Sequence, residues 1–256
     1  MKTENIVGYP VYAPPLIQCV DEICAWIASG SGPRWLACLN PHSYAVALGR
    51  PRFAGALKNA DWLVPDGVGV VHASWFLGGR IRDRVTGSDV FRAVHDRLQA
   101  KGGGSVFFLG STEETLAQIR EKMAVDWPAL TIAGTYSPPF RAEFSDGEID
   151  DMVAAINAVR PDVLWVGMTA PKQEEWVHRV IDRLDVRFAA AIGAVFDFYI
   201  GRVKRSHPVF QRVGLEWLPR LLQEPKRLWR RMFVSAPVFV WHVLLARVKR
   251  NGSPIG

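Results

Sequence analysis

Short apolar runs alternate along the chain with longer segments in which apolar residues return every three or four positions. The runs fall at 35–39 (WLACL), 62–64 (WLV), 105–110 (SVFFLG), 130–134 (LTIAG), 163–168 (VLWVGM) and 187–193 (RFAAAIG). The helical segments cover 16–29, 43–58, 67–77, 88–101, 112–126, 146–159 and 172–184. Runs without polar alternation suit strands covered on both faces, and their interleaving with helices predicts an α/β fold: a Rossmann-like, largely parallel sheet flanked by helices. Helix starts are marked by Ser111 or Thr112 ahead of Glu113 and Glu114, and by Ser145 or Asp146 ahead of Glu148. Pro138-Pro139 and Gly102-Gly103-Gly104 punctuate the gaps, and there is no internal repeat.

Beyond Gly201 the texture changes to basic and aromatic, which predicts an α/β domain over 1–200 and a helical appendage over 201–256. Residues 202–256 carry 12 Lys or Arg against only Glu216 and Glu224, whereas the preceding residues hold 19 basic and 23 acidic side chains. A mildly acidic body with a strongly basic tail suggests an anionic partner: a lipid surface, a lipid-linked diphosphate or nucleic acid. A solvated helical face is the plainer alternative. The stretch 232–246 is apolar but shorter than the roughly 20 residues a membrane span needs, and Pro237 and His242 interrupt it. It reads either as an interfacial helix with tryptophans at headgroup depth or as a helix packed on the body or on a second subunit.

Composition narrows the setting. At 256 residues and 49% hydrophobic, the chain can bury one sizeable core. Cys19, Cys24 and Cys38 show neither CxxC spacing nor an even count, which argues against a zinc knuckle or a disulfide framework and for a reducing cytoplasm. The N-terminal residues lack the continuous apolar core of a signal peptide.

Candidate chemistry gathers where strands end. Asp66, in Val64-Pro65-Asp66-Gly67, follows a strand and precedes a helix, so its carboxylate can serve as a general base at the edge where open α/β sheets bind ligands; capping the helix or shaping the turn is the alternative. Asn40 opens the turn after 35–39 and can donate to and accept from sugar hydroxyls, or simply form that turn. Gly110 and Gly193 close two further strands, and Gly110 lets backbone amides approach a phosphate. Pro171-Lys172-Gln173-Glu174 opens a helix whose first amides favour anions; a solvated first turn is the alternative. In the tail, Arg220, Arg227 and Arg230 share one helical face and suit phosphate oxygens, unless they pair with Glu216 and Glu224. His42, His72 and His95 have no metal-cage spacing. G-x-G-x-x-G, the phosphate-binding G-x-x-x-x-G-K-[ST] loop and D-x-D are all missing. Sugar transfer here would therefore rely on cations and helix dipoles to hold the leaving group.

Taken in order, Asn40, Pro65-Asp66-Gly67, Arg84-Val85-Thr86-Gly87, Phe108-Leu109-Gly110, Pro171-Lys172-Gln173-Glu174 and Gly214-Leu215-Glu216-Trp217 with Glu224-Pro225 and Arg227 resemble the WecG/TagA/CpsF glycosyltransferase family, from about Ile6 to Arg231. The resemblance implies an inverting, metal-independent transfer of a sugar from a UDP-sugar to a polyprenyl-diphosphate-linked glycan at the cytoplasmic face of a bacterial membrane, with no cofactor. It implies Asp66 as base, with Asn40 and Gln173 as sugar or acceptor contacts. Gly67, Arg84, Gly110, Lys172 and Gly193 line the substrate site, and Arg220, Arg227 and Arg230 close over the diphosphate. Two departures stand out: Cys38 where related chains often carry threonine, and Arg205-Ser206-His207-Pro208 at the entry to the appendage. The expected partners are donor, lipid-linked acceptor and an anionic membrane surface, with self-association as another way to cover the apolar tail. A nucleic-acid binder using the basic tail is the rival of another class, without an RNP-like or helix-turn-helix signature to support it. An NAD-dependent oxidoreductase lacks its glycine fingerprint.

Overall fold

The structure is a computed structural model that describes residues 2–202, 229 and 231–252. It opens with an antiparallel hairpin, β1 (Thr3–Ile6) and β2 (Tyr9–Tyr12), turned through Val7 and Gly8. The sequence reading did not anticipate this hairpin, whose short strands lack the unbroken apolar run that marks the sheet strands. Helix α1 (Leu16–Ser29) then leads into the main sheet, built from β3 (Arg34–Leu39), β4 (Trp62–Pro65), β5 (Gly104–Gly110), β6 (Leu130–Tyr136), β7 (Val163–Gly167) and β8 (Phe188–Ala191). The strand order is β4-β3-β8-β7-β5-β6, and every pairing is parallel. The expected α/β architecture is therefore present.

The connecting helices are α2 (Pro41–Leu48), α3 (Pro51–Asn59), α4 (Val68–Phe76), α5 (Gly87–Ala100), α6 (Glu113–Asp126), α7 (Asp146–Asn157), α8 (Lys172–Val180) and α9 (Val195–Tyr199). The single helix read over 43–58 is two, because the chain breaks at Gly49 and Arg50 and Pro51 restarts it at a first-turn position where a missing N–H costs nothing. Consecutive strand residues feed opposite cores. Leu39, Leu63, Phe107, Leu164 and Ala189 pack on one face with Phe53 and Val177; Leu36, Val64, Phe108, Trp165 and Phe188 pack on the other with Ile23 and Phe91. Burial on both faces is why these strands read as unbroken apolar runs.

After the described residues end at 202, the chain is next described as a π-helical turn, Arg231–Ser235, continuing into α10 (Ala236–Gly252). One face of α10 is buried: Phe239 and Val243 join the core beside Tyr44 and Leu77. The helix is also latched by polar contacts, His42 Nδ1 to Ser235 Oγ at 2.9 Å and Tyr44 hydroxyl to His242 Nδ1 at 2.6 Å. The opposite face, Val240, Trp241, Leu244, Leu245 and Val248, is exposed. The helical run Arg231–Arg250 is 20 residues and holds an 18-residue window of mean hydropathy 1.4, long and apolar enough by length and composition to cross a membrane. The sequence reading's 232–246 stops at the basic residues on either side; the helical run is longer because it also takes in Arg231 and the residues from Arg247 to Arg250, and Pro237, in the first turn of α10, does not interrupt it.

Candidate active site

Because all six strands are parallel, the turns that leave their carboxyl ends converge on one edge of the sheet, and with them Asn40, Asp66, Gly110, Gln173 and Gly193. Asn40 is the N-cap of α2. Its Oδ1 accepts from the amides of His42 and Ser43 at 3.0 and 2.9 Å, and Ser43 returns the contact to the Asn40 amide. With Oδ1 committed, Nδ2 is left to donate to Asp66 Oδ2 at 3.3 Å. The Asp66 amide in turn donates to Leu39 O at 2.8 Å, which joins the ends of β3 and β4. Asp66 is half-buried, held but within reach of solvent. It does not cap α4. That role falls to Gly67, at φ 122°, where an L side chain would be strained, and α4 has no side-chain cap. The α4 first turn has no acidic residue, so its amides form an anion-favouring end beside the carboxylate.

The floor beneath Asp66 is less polar. Cys38 faces the same region: burial, with Asp66 and Glu174 near by, holds its thiol well above the ordinary range against a smaller opposing pull from the Gly87 amide. It is a protonated thiol rather than a nucleophile. Gly87 opens α5, whose cap Thr86 exchanges bonds with Asp89, and the preceding loop is pinned by Val85 N to Pro65 O at 3.0 Å. That pin brings half-buried Arg84 to the segment next to the end of β4.

Gln173 is 3% exposed, and its Oε1 accepts from the amides of Met168, at 3.2 Å, and Gly193, at 2.9 Å. One carboxamide thus ties the turn after β7 to the turn after β8, and Nε2 donates to Glu174 Oε1 at 2.9 Å. Lys172 is turned to the outer side of α8: its ammonium donates to Arg141 O at 2.9 Å and lies over the Phe144 ring. It lines a cavity of about 860 Å³ with Arg52, Phe144 and Trp176, and partial burial lowers its pKa. Gly110, at φ 120°, serves close packing, since a Cβ there would lie 2.4 Å from Gly167 O. The helix after it already carries Glu113 and Glu114 in its first turn. Arg220, Arg227 and Arg230 lie outside the described residues.

Sequence reading put Asn40 and Asp66 at the sheet's carboxyl edge, where they lie, but gave Glu174 no role beyond a solvated first turn; it is 2% exposed. Nor could it find the contacts of His42 and Tyr44 with the far end of the chain. No local pattern announces a pairing across almost two hundred residues.

A sequence profile described as the Glycosyl transferase WecG/TagA/CpsF family matches residues 4–253. The chain is 34% identical over 213 residues, 82% of its length and 78% of the relative's, to an N-acetylglucosaminyldiphosphoundecaprenol N-acetyl-beta-D-mannosaminyltransferase of Bacillus spizizenii. Similar proteins carrying that same description occur in Bacillus subtilis strain 168, at 27% identity over 247 residues covering 95% and 92% of the two chains, and in Staphylococcus aureus strain MW2, at 26% over 250 residues covering 96% and 93%.

Proposed function

The chain belongs to the WecG/TagA/CpsF glycosyl transferase family, and from that premise we propose that it moves an N-acetylhexosamine-type sugar from a UDP-sugar to a polyprenyl-diphosphate-linked glycan, by a single inverting displacement without a metal ion. N-Acetylmannosamine as the sugar and a diphosphoundecaprenol-linked N-acetylglucosamine as the acceptor are the first pair to test, because the relatives named above use them.

The observation that carries the reading is the contact of Asn40 Nδ2 with Asp66 Oδ2 at the sheet's carboxyl edge. The contact supports an ionised Asp66 held at that edge to take the proton of the acceptor hydroxyl. As that proton leaves, the hydroxyl oxygen bonds to the anomeric carbon while the bond from that carbon to the UDP oxygen breaks. One displacement inverts the configuration. The leaving diphosphate gains charge beside the uncapped first turn of α4 and Arg84, and Arg220, Arg227 and Arg230 of the appendage complete the neutralisation. Gln173 contributes its remaining Nε2 hydrogen to a sugar hydroxyl while its carbonyl keeps the two turns together.

We further assign the protein to the inner face of the cell membrane. α10 keeps its Phe239 face on the body and turns Val240, Trp241, Leu244 and Val248 outward, flanked by Lys249 and Arg250, a pattern suited to an anionic lipid surface where the acceptor resides. Asp66→Asn tests the catalytic part: turnover should fall about 10²- to 10⁴-fold with donor binding retained, and near-wild-type turnover would remove Asp66 as the base. Activity abolished by EDTA and restored by magnesium would contradict the metal-free step.

A further inference from the structure

The displacement above makes no use of Glu174, yet few side chains at this edge are more enclosed. Glu174 follows Gln173 in the first turn of α8, and both are buried although neighbouring helix positions point about 100° apart. Its Oε1 accepts the Gln173 Nε2 hydrogen at 2.9 Å, and its Oε2 is buried with no hydrogen-bond partner among the described residues. The ionisable groups near it are Glu175 from its own helix and the Cys38 thiol from β3, which is also close to Asp66 from the turn after β4. The α5 contribution is the Gly87 amide, which lies beside Cys38. Among the described residues, none of these neighbours is a cation.

A carboxylate in that position would be enclosed with one oxygen unmet and Glu175 near by, which burial penalises heavily; a neutral acid avoids the penalty. Burial accordingly raises Glu174 to about 7.

We propose that Glu174 is a positioning residue: its uncharged carboxyl holds Gln173 in the orientation that ties the β7 and β8 turns together, and keeps a second negative charge away from Asp66 during transfer. The inference rests on the assignment of Asp66 as the base. The Gln173 carboxamide has two orientations, and only the one with Oε1 toward Met168 and Gly193 satisfies both amides; an acceptor at Glu174 Oε1 selects it. When Glu174 loses its proton, the new charge opposes both the ionised base and the incoming diphosphate. Activity then falls as pH rises through the neutral range, by a route a carboxamide at 174 cannot follow.

The test measures transfer to a short-chain polyprenyl-diphosphate-linked N-acetylglucosamine across the neutral range for wild type, Glu174→Gln, Glu174→Ala and Asp66→Asn. Infrared spectra of the wild-type carboxylic C=O band are taken over the same range. Wild type should lose activity on the alkaline side with a midpoint near the value given above, while Glu174→Gln keeps the acid plateau within a few-fold and lacks that fall. Glu174→Ala, which removes the Gln173 acceptor, should sit about tenfold below Glu174→Gln. The infrared titration needs no variant to fold: a protonated carboxyl should persist to near neutrality. A Glu174→Gln profile with the wild-type alkaline limb, or no carboxylic acid band surviving to neutral pH, overturns the proposal. An ionised Glu174 paired with an appendage guanidinium would give that second result. Activity in Asp66→Asn would instead remove the base assignment, and the infrared band would still judge Glu174.

Discussion

Asn40 Nδ2 lies 3.3 Å from Asp66 Oδ2, and the amide is held in that orientation because its other end caps α2. One side chain therefore links the start of a helix to the proposed base. Asn40→Ala removes both contacts and should cost about 1 kcal/mol of stability for the cap, together with a kcat loss larger than its effect on KM. Asn40→Asp retains the cap but sets a second carboxylate against Asp66, so its activity should require a higher pH than wild type. Denaturant melts alongside pH–rate profiles separate the two effects. Equal kcat in wild type and Asn40→Ala would show that the contact does nothing for the reaction.

Gln173 gives a second separation of structure from chemistry. Its carbonyl is the shared acceptor for two backbone amides, so Gln173→Leu, of similar length, leaves both without that partner. Each buried amide left unmet costs about 1–3 kcal/mol, enough to lower the denaturation midpoint visibly. Gln173→Glu retains the acceptor but brings an acid against Glu174, and should be destabilised more at alkaline than at acid pH. A stability unchanged in both variants would contradict the tie between the β7 and β8 turns.

The strands of the main sheet and most helices were legible in the sequence because burial on both sheet faces writes itself as an unbroken apolar run, and because caps such as Thr112 and Ser145 stand at the starts they mark. Asn40 and Asp66 were legible for a related reason: a polar residue directly after such a run must emerge at the ligand edge. Glu174 was not, since a P-K-Q-E first turn looks the same whether it faces solvent or the ends of β7 and β8. The outward turn of Lys172 was equally hidden, because only the three-dimensional path of the 137–145 loop brings Arg141 O and Phe144 under its ammonium. Gly110 reads in the sequence as letting amides approach a phosphate, whereas the 2.4 Å at which an added Cβ would meet Gly167 O supports a packing role.

His95 should make stability fall at acid pH. It is fully buried among Phe91, Trp127 and Trp165, and its Nε2 accepts the Trp165 Nε1 hydrogen at 2.9 Å, so the ring is neutral. Burial pushes its pKa down to about 3 from an ordinary 6.5. The unfolded chain binds this proton first as pH drops, so the stability from the neutral ring is fully present above 6.5 and is lost progressively down to about 3. The loss approaches about 1.4 kcal/mol per pH unit inside that window. His95→Gln keeps an acceptor for Trp165 but cannot titrate; it should be less stable than wild type at neutral pH and show a shallower acid decline. Parallel acid slopes in urea melts of the two proteins would count against this assignment.

α10 is apolar on two sides, and the described residues cover one of them. Phe239 and Val243 face the body, while Trp241 is 60% and Val248 68% exposed on the other side. Leaving such a stripe in water is costly, since burying a large apolar side chain gains about 1.5–3 kcal/mol. The latch contacts of His42 and Tyr44 keep the helix against α2, whose first residue follows Asn40, so a bilayer under the outer stripe would lie at a fixed distance from the proposed base. Trp241→Glu with Leu244→Glu should leave the melting temperature almost unchanged and lower binding to vesicles containing anionic lipid by about tenfold or more. Transfer to a vesicle-bound acceptor should fall in step, whereas transfer to a soluble short-chain acceptor should persist. If the double variant binds vesicles normally but changes its sedimentation from dimer to monomer, the stripe is a subunit interface and the membrane assignment of α10 fails.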